Sequence, residues 1–150
     1  QLPMLADRVA RWARLYQTLE AGLQNTPGLR LVARPEEETY VGSSFQFLLP
    51  GWSDARIGLF LTRCIARGVE LKWFGADEPV AFTSRYDHWR YAGAQSCPNT
   101  DRILKGLIDM RLPLTFSPDD VALIARIIRA EALAVGQGPE PEPVTPPRVQ

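Results

Sequence analysis

The stretch from Val41 to Phe74 reads VGSSFQFLLPGWSDARIGLFLTRCIARGVELKWF, and its three parts decide the fold class. From Val41 to Leu49 the residues are β-prone, and Phe45, Phe47 and Leu49 alternate with Gln46 and Leu48, as in a strand covered mainly on one face. Pro50-Gly51 ends it. Ser53 is a good helix N-cap, and the residues after it place Ile57, Phe60, Leu61, Cys64 and Ile65 on an inward stripe. Arg63 and Arg67 stand near the negative end of that helix, and Gly68 stops it. Val69 to Phe74 follows as a second strand. A strand, helix and strand with this patterning predict an α+β domain whose helices pack on one face of a small, mostly antiparallel sheet.

Upstream, Leu5, Val9, Trp12, Tyr16, Leu19 and Leu23 recur at spacings of four and three, one stripe of a helix of about twenty residues. Asn25-Thr26-Pro27-Gly28 breaks that helix, Leu29 to Ala33 reads as a short strand, and Glu36-Glu37-Glu38 as a solvated turn. Downstream, the run from Phe82 through Thr83, Ser84, Arg85, Tyr86, Asp87, His88, Trp89 and Arg90 to Tyr91 lacks periodicity. It is the long aromatic loop in which function often resides. Asn99-Thr100-Asp101 reads as the cap of a short helix through Ile103, Leu104, Leu107 and Ile108, with Leu112-Pro113-Leu114 extended behind it. Ser117-Pro118-Asp119-Asp120 opens a last helix carrying Val121, Ile124, Ile127, Ile128 and Leu133 inward. Residues 1–135 make one domain. After Gly136 five prolines in fifteen residues predict a disordered tail over 136–150.

Composition narrows the function. At 150 residues, 45% apolar, the chain has the size and makeup of one globular domain. Its 17 basic and 17 acidic residues cancel, so it lacks the electrostatic footprint of a nucleic-acid or anionic-membrane binder. No apolar run reaches the roughly 18 residues of a membrane span, and no signal segment opens the chain, which reads as soluble and cytoplasmic. Cys64 and Cys97 are expected to be reduced, and one histidine with no C-x-x-C pair argues against zinc. The start at Gln1, in mid-pattern, suggests a fragment.

A catalytic centre is not legible. His88 lies near Ser84 and Thr83 without a G-x-S-x-G turn. The acids of 36–38, Asp77-Glu78 and Asp119-Asp120 read as turns or a helix start, and phosphate loops of the Gly-rich types are absent. Lys72 and Lys105, the only lysines, read as surface charges. The aromatic loop offers flat faces for a sugar or a base, with satellite packing as an equal alternative.

Taken in order, several short motifs resemble the C-terminal domain of the pyridoxal-phosphate aminotransferases named after DegT and DnrJ. These are Arg8, Tyr16 and Leu19 with the Pro27-Gly28-Leu29 turn, Phe45-Gln46-Phe47, Arg67-Gly68-Val69, Cys97-Pro98-Asn99-Thr100-Asp101, Met110-Arg111-Leu112-Pro113-Leu114 and Ser117-Pro118-Asp119-Asp120. Trp73-Phe74 stands where that family commonly has His-Tyr, and Cys97 replaces a leucine. The resemblance implies that the cofactor lysine and most pyridoxal-phosphate contacts lie in a large N-terminal domain. It further implies transfer of an amino group from glutamate or glutamine to a keto sugar, often nucleotide-linked, in a homodimer. Trp73, Phe74, His88, Arg90 and Asn99 are then the residues expected to face the substrate, with this domain as a lid that is inactive alone. A stand-alone sugar-nucleotide binding module or a protein-assembly module is the alternative.

Overall fold

A computed structural model describes residues 4–79, 85–91, 93 and 95–142. Four helices and four strands follow in the order α1 (Leu5–Leu23), β1 (Arg30–Leu31), β2 (Ser44–Leu48), α2 (Asp54–Ala66), β3 (Lys72–Trp73), α3 (Pro98–Leu104), β4 (Leu107–Arg111) and α4 (Pro118–Gln137). The sheet has the strand order β1-β2-β4-β3, and every pairing is antiparallel.

Alternation in β2 works as its sequence predicts. Phe45 and Phe47 are buried, and their cross-strand partners on β4 are Met110 and Ile108. The helices cover this face. Tyr16 of α1 lies 4.7 Å from the Phe45 ring, and Phe60 of α2 meets Phe47 edge-on at 6.5 Å. Helix α4 packs against both α1 and α2, completing the helical layer. Offset and edge-on rings add to simple area burial in such a core.

The α2 ends follow their sequence signals. Ser53 Oγ accepts the Arg56 N–H, and Gly68 takes φ +81°, the left-handed geometry in which its own N–H reaches Ile65 O at 2.9 Å. At the start of α4, Ser117 Oγ accepts the Asp120 N–H while the Asp120 carboxylate accepts the Ser117 N–H at 2.8 Å, a reciprocal cap.

Four expectations fail. The short helix stops at Leu104, and Leu107 and Ile108, expected on it, belong to β4 instead. Gly106 breaks the helix: its carbonyl accepts the Leu49 N–H at 2.9 Å, and an added Cβ there would lie 2.9 Å from Leu49 O. The cap of α3 is Cys97 with Pro98 at the first helical position, so Asn99 lies inside the helix and caps nothing. Ile65, expected inward, is 60% exposed, because Cys64 rather than Ile65 turns toward the core. The strands are also shorter than their apolar runs, since β1 and β3 hold two residues each.

Two polar devices escaped periodicity. Glu131 of α4 is buried, and its carboxylate accepts Arg63 Nε at 2.5 Å and Arg67 Nη1 at 2.8 Å, tying α4 to the end of α2. The Arg34 guanidinium sits 4.0 Å over the Tyr40 ring and 5.6 Å from the Tyr16 ring, donates to Tyr16 Oη and pairs with Glu38 at 3.0 Å. It clasps the β1–β2 connection to α1.

The two arginines, Arg63 first, hold the Glu131 carboxyl below its ordinary range. A depressed folded-state value means that this stability is present above about pH 4.5, the unfolded value, and is lost as pH falls through the lower folded value. Both arginines are about half exposed, so the expected loss in Glu131→Gln is small, about 1 kcal/mol at neutral pH. Thermal melts from pH 7 to pH 3 should show the difference between wild type and variant shrinking toward acid; a constant gap would refute the linkage.

Gly22 sets the α1–α4 approach, because a Cβ there would lie 2.5 Å from Ala125 Cβ. Gly22→Val is expected to destabilise by about 1–3 kcal/mol in urea unfolding. Gly58 of α2 has no atom near an added Cβ, and Gly58→Ala should stabilise by about 1 kcal/mol.

Candidate functional site

Trp73 and Phe74 stand where β3 leaves the sheet. Trp73 Nε1 donates to Lys105 O at 2.8 Å, and the Phe74 N–H donates to Leu107 O at 3.0 Å. Both side chains are half-buried and lean on the junction between α3 and β4. Asn99 is exposed on the first turn of α3.

The loop before α3 is fastened to that helix. Tyr86 Oη donates to Asp101 Oδ1 at 2.8 Å and accepts the Cys97 N–H at 3.3 Å. The bond to Asp101 pushes the Tyr86 hydroxyl pKa up. Tyr86 to His88 form a single 3₁₀ turn, within which Arg85 and Asp87 pair at 2.7 Å. His88 Nδ1 accepts the Arg85 N–H at 3.3 Å, so the proton of a neutral His88 ring resides on Nε2. Arg90 is exposed, and Trp89 stacks with Tyr91 at 6.5 Å and 24°, with Tyr91 90% exposed. Phe82, Thr83, Ser84 and Leu2 lie outside the described residues.

Between the loop and α3 is a polar cavity of about 190 Å³ whose wall includes Asp54, Asp77, Arg85, Asp101 and Lys105. None of Trp73, Phe74, His88, Arg90 or Asn99 lines it. The fold therefore brings Trp73 and Phe74 to the α3 junction and keeps His88 and Arg90 on the loop. Tyr86 and Asp101 are the contact that sequence reasoning missed: they stand fifteen residues apart, and neither belongs to a periodic pattern.

Chemically the described residues make no nucleophile–base pair. Burial pushes the Cys64 thiol up to about 12, so it stays protonated. Native protein is expected to react with a thiol reagent at Cys97 alone, Cys64 becoming reactive only on denaturation; equal labelling of both in the native state would contradict this burial. No group of three or more His, Cys, Asp or Glu among the described residues could hold a metal ion. Lys105 is exposed and lines the polar cavity, and Lys72 lies in a sheet pairing opposite Asp109. No helix among the described residues is long and apolar enough to cross a membrane.

Comparison with solved structures defines the class of fold. The chain superposes on the aminotransferase TlmJ from Streptoalloteichus hindustanus with a TM-score of 0.72 at 20% identity, covering 89% of this chain and 34% of that one. It matches DesI, solved with its TDP-sugar product, at a TM-score of 0.65 and 15% identity, covering 91% and 33%. It also matches a DegT DnrJ EryC1 StrS aminotransferase from Brucella abortus at 0.60 and 16% identity, covering 86% and 32%. The fold is thus that of one segment of these aminotransferases, an α+β small domain. The chain spans about a third of the length of those solved structures. No protein-family model matches it, and no curated protein matches it in sequence.

Proposed function

We propose that this chain is the C-terminal part of a pyridoxal-phosphate-dependent aminotransferase that moves an amino group from glutamate or glutamine to a keto sugar or a similar carbonyl compound. The observation that carries this reading is the superposition of nearly nine-tenths of the chain on one third of an aminotransferase. The TDP-sugar product in DesI favours a nucleotide-linked acceptor. Met4 and Leu5 at the start of α1 are half or more exposed, a surface suited to further protein, and a cytoplasmic homodimer agrees with the resemblance.

The cofactor, held by residues outside this chain, supplies the electron sink for the transfer. The task of this chain is to close over the substrate. Trp73 and Phe74, steadied by the α3–β4 junction, present an apolar wall that excludes water. Arg90 offers a cation to an anionic substrate group, His88 offers Nε2 as a donor, and Asn99 an amide. Interactions of this kind, remote from the reacting atoms, position the substrate.

In the intact protein that contains this chain, product formation should require pyridoxal phosphate, a keto nucleotide-sugar and glutamate or glutamine. Trp73→Ala and Arg90→Ala should each raise KM about tenfold, roughly 1.4 kcal/mol, while the cofactor absorbance stays unchanged. Wild-type KM in both variants would remove the lid role, and failure to aminate any keto sugar would remove the reading itself. The isolated chain should show no cofactor band.

A further inference from the structure

The largest of the described cavities, a cleft of about 710 Å³, opens between the Pro50-Gly51 turn and α3. Three cations stand on its wall, Arg30 from β1 and Arg102 and Lys105 from α3 and its C-cap. The bond from Leu49 N–H to Gly106 O holds the two walls in register. Trp52 and Ser53, at the entrance to α2, belong to the same wall, and both also lie against residues 136–140 at the far end of the chain.

Trp52 occupies a slot between two glycines. A Cβ added at Gly28 would lie 3.1 Å from Trp52 Nε1, and one at Gly136 would lie 3.3 Å from Trp52 Cζ2. The ring meets Phe60 edge-on at 5.7 Å and is 7% exposed, with a cavity of about 100 Å³ beside it. Next to this slot the end of α4 is fastened crosswise to α2. Arg56 donates to Gly136 O at 3.4 Å and to Gly138 O at 3.3 Å, and it pairs with Glu140 at 2.9 Å. Ser53 Oγ donates to the same carboxylate. Helix α4 has no basic residue in its own last turn, so Arg56 supplies the cation that its negative end favours, while Glu140 stands at the positive end of α2.

This fastening is separable from the core. Arg63 and Arg67 hold Glu131 at the opposite end of α2, so the body of α4 stays docked when Glu140 lets go. The Arg56–Glu140 pair, with the Glu140 side chain 57% exposed, is weak and screened by salt. Pro139 and Pro141 flank Glu140 and restrict the chain, which lowers the entropy lost when it closes. We propose that residues 136–140 form a strap with Glu140 as its catch. Closed, it keeps Trp52 in the cleft wall; open, it frees the ring and reshapes the cleft. The inference is independent of the transferase reading, since it needs neither the cofactor nor Trp73.

The test is fluorine NMR of the intact protein labelled with fluorotryptophan, the Trp52 signal being assigned with Trp52→Phe. In the wild type at low salt Trp52 should give a signal shielded from solvent. Glu140→Gln, Arg56→Gln and about 0.5 M salt should each raise its solvent-exposed fraction about threefold or more, while Trp12 and Trp73 keep their signals. Glu142→Gln, at an exposed position two residues further on, is the control that should leave Trp52 as it is. An unchanged Trp52 signal in Glu140→Gln and at high salt would overturn the strap. So would equal responses in Glu140→Gln and Glu142→Gln, or a joint shift of Trp12, Trp73 and Trp52, which would mark loosening of the whole core.

Discussion

Everything in this fold hangs on β4, because Leu107–Arg111 joins the β1–β2 pair to β3. It pairs with β2 over five residues and with β3 over two. Without it the β1–β2 pair and the two residues of β3 would share no hydrogen bonds, and a two-stranded ribbon is marginal alone. Its core face carries Ile108 and Met110 against Phe47 and Phe45, where α1 and α2 pack. Its other face carries Asp109, 3% exposed, which accepts from Ser44 and Gln46, leaving Oδ2 without a hydrogen bond. A carboxylate at that depth costs stability unless its charge is balanced, and the register sets Lys72 opposite it.

The same strand organises both candidate surfaces. Its first residues adjoin Gly106 and the α3 junction, so Trp73 and Phe74 are held to one side and the cationic cleft opens at the other. Helix α3 separates them, with Lys105 on the walls of both the polar cavity and the cleft. A short helix of seven residues has little stability of its own. Its position depends on the Tyr86–Asp101 bond, the Trp73 bond to Lys105 O and the Gly106–Leu49 bond.

What could be read without coordinates was whatever depends on neighbours in the chain. The α2 stripe, the Ser53 and Ser117 caps and the Gly68 stop are interactions over three to five residues, and their residue types state them directly. The ordered motifs likewise carried the aminotransferase-like fold, which agrees with the superposition on TlmJ. Leu107 and Ile108 misled because a short apolar run suits a helix or a strand equally, and only the pairing with β2 and β3 arbitrates. Ile65 misled because adjacent apolar residues on a helix differ by about 100° in direction, and the position of α4 chooses between them.

Amino-acid order alone therefore determined the α+β class and the main helices, since each follows from local periodicity and capping. Tertiary structure decided which strands are central, which acid is buried between Arg63 and Arg67, and that Arg30 meets Arg102 and Lys105 at one cleft. Those outcomes join residues roughly 64 to 75 positions apart, as the differences between Glu131 and Arg67 and between Lys105 and Arg30 show. Charges and side chains that far apart meet only when burial of the Phe45–Phe47 face has already folded the chain between them.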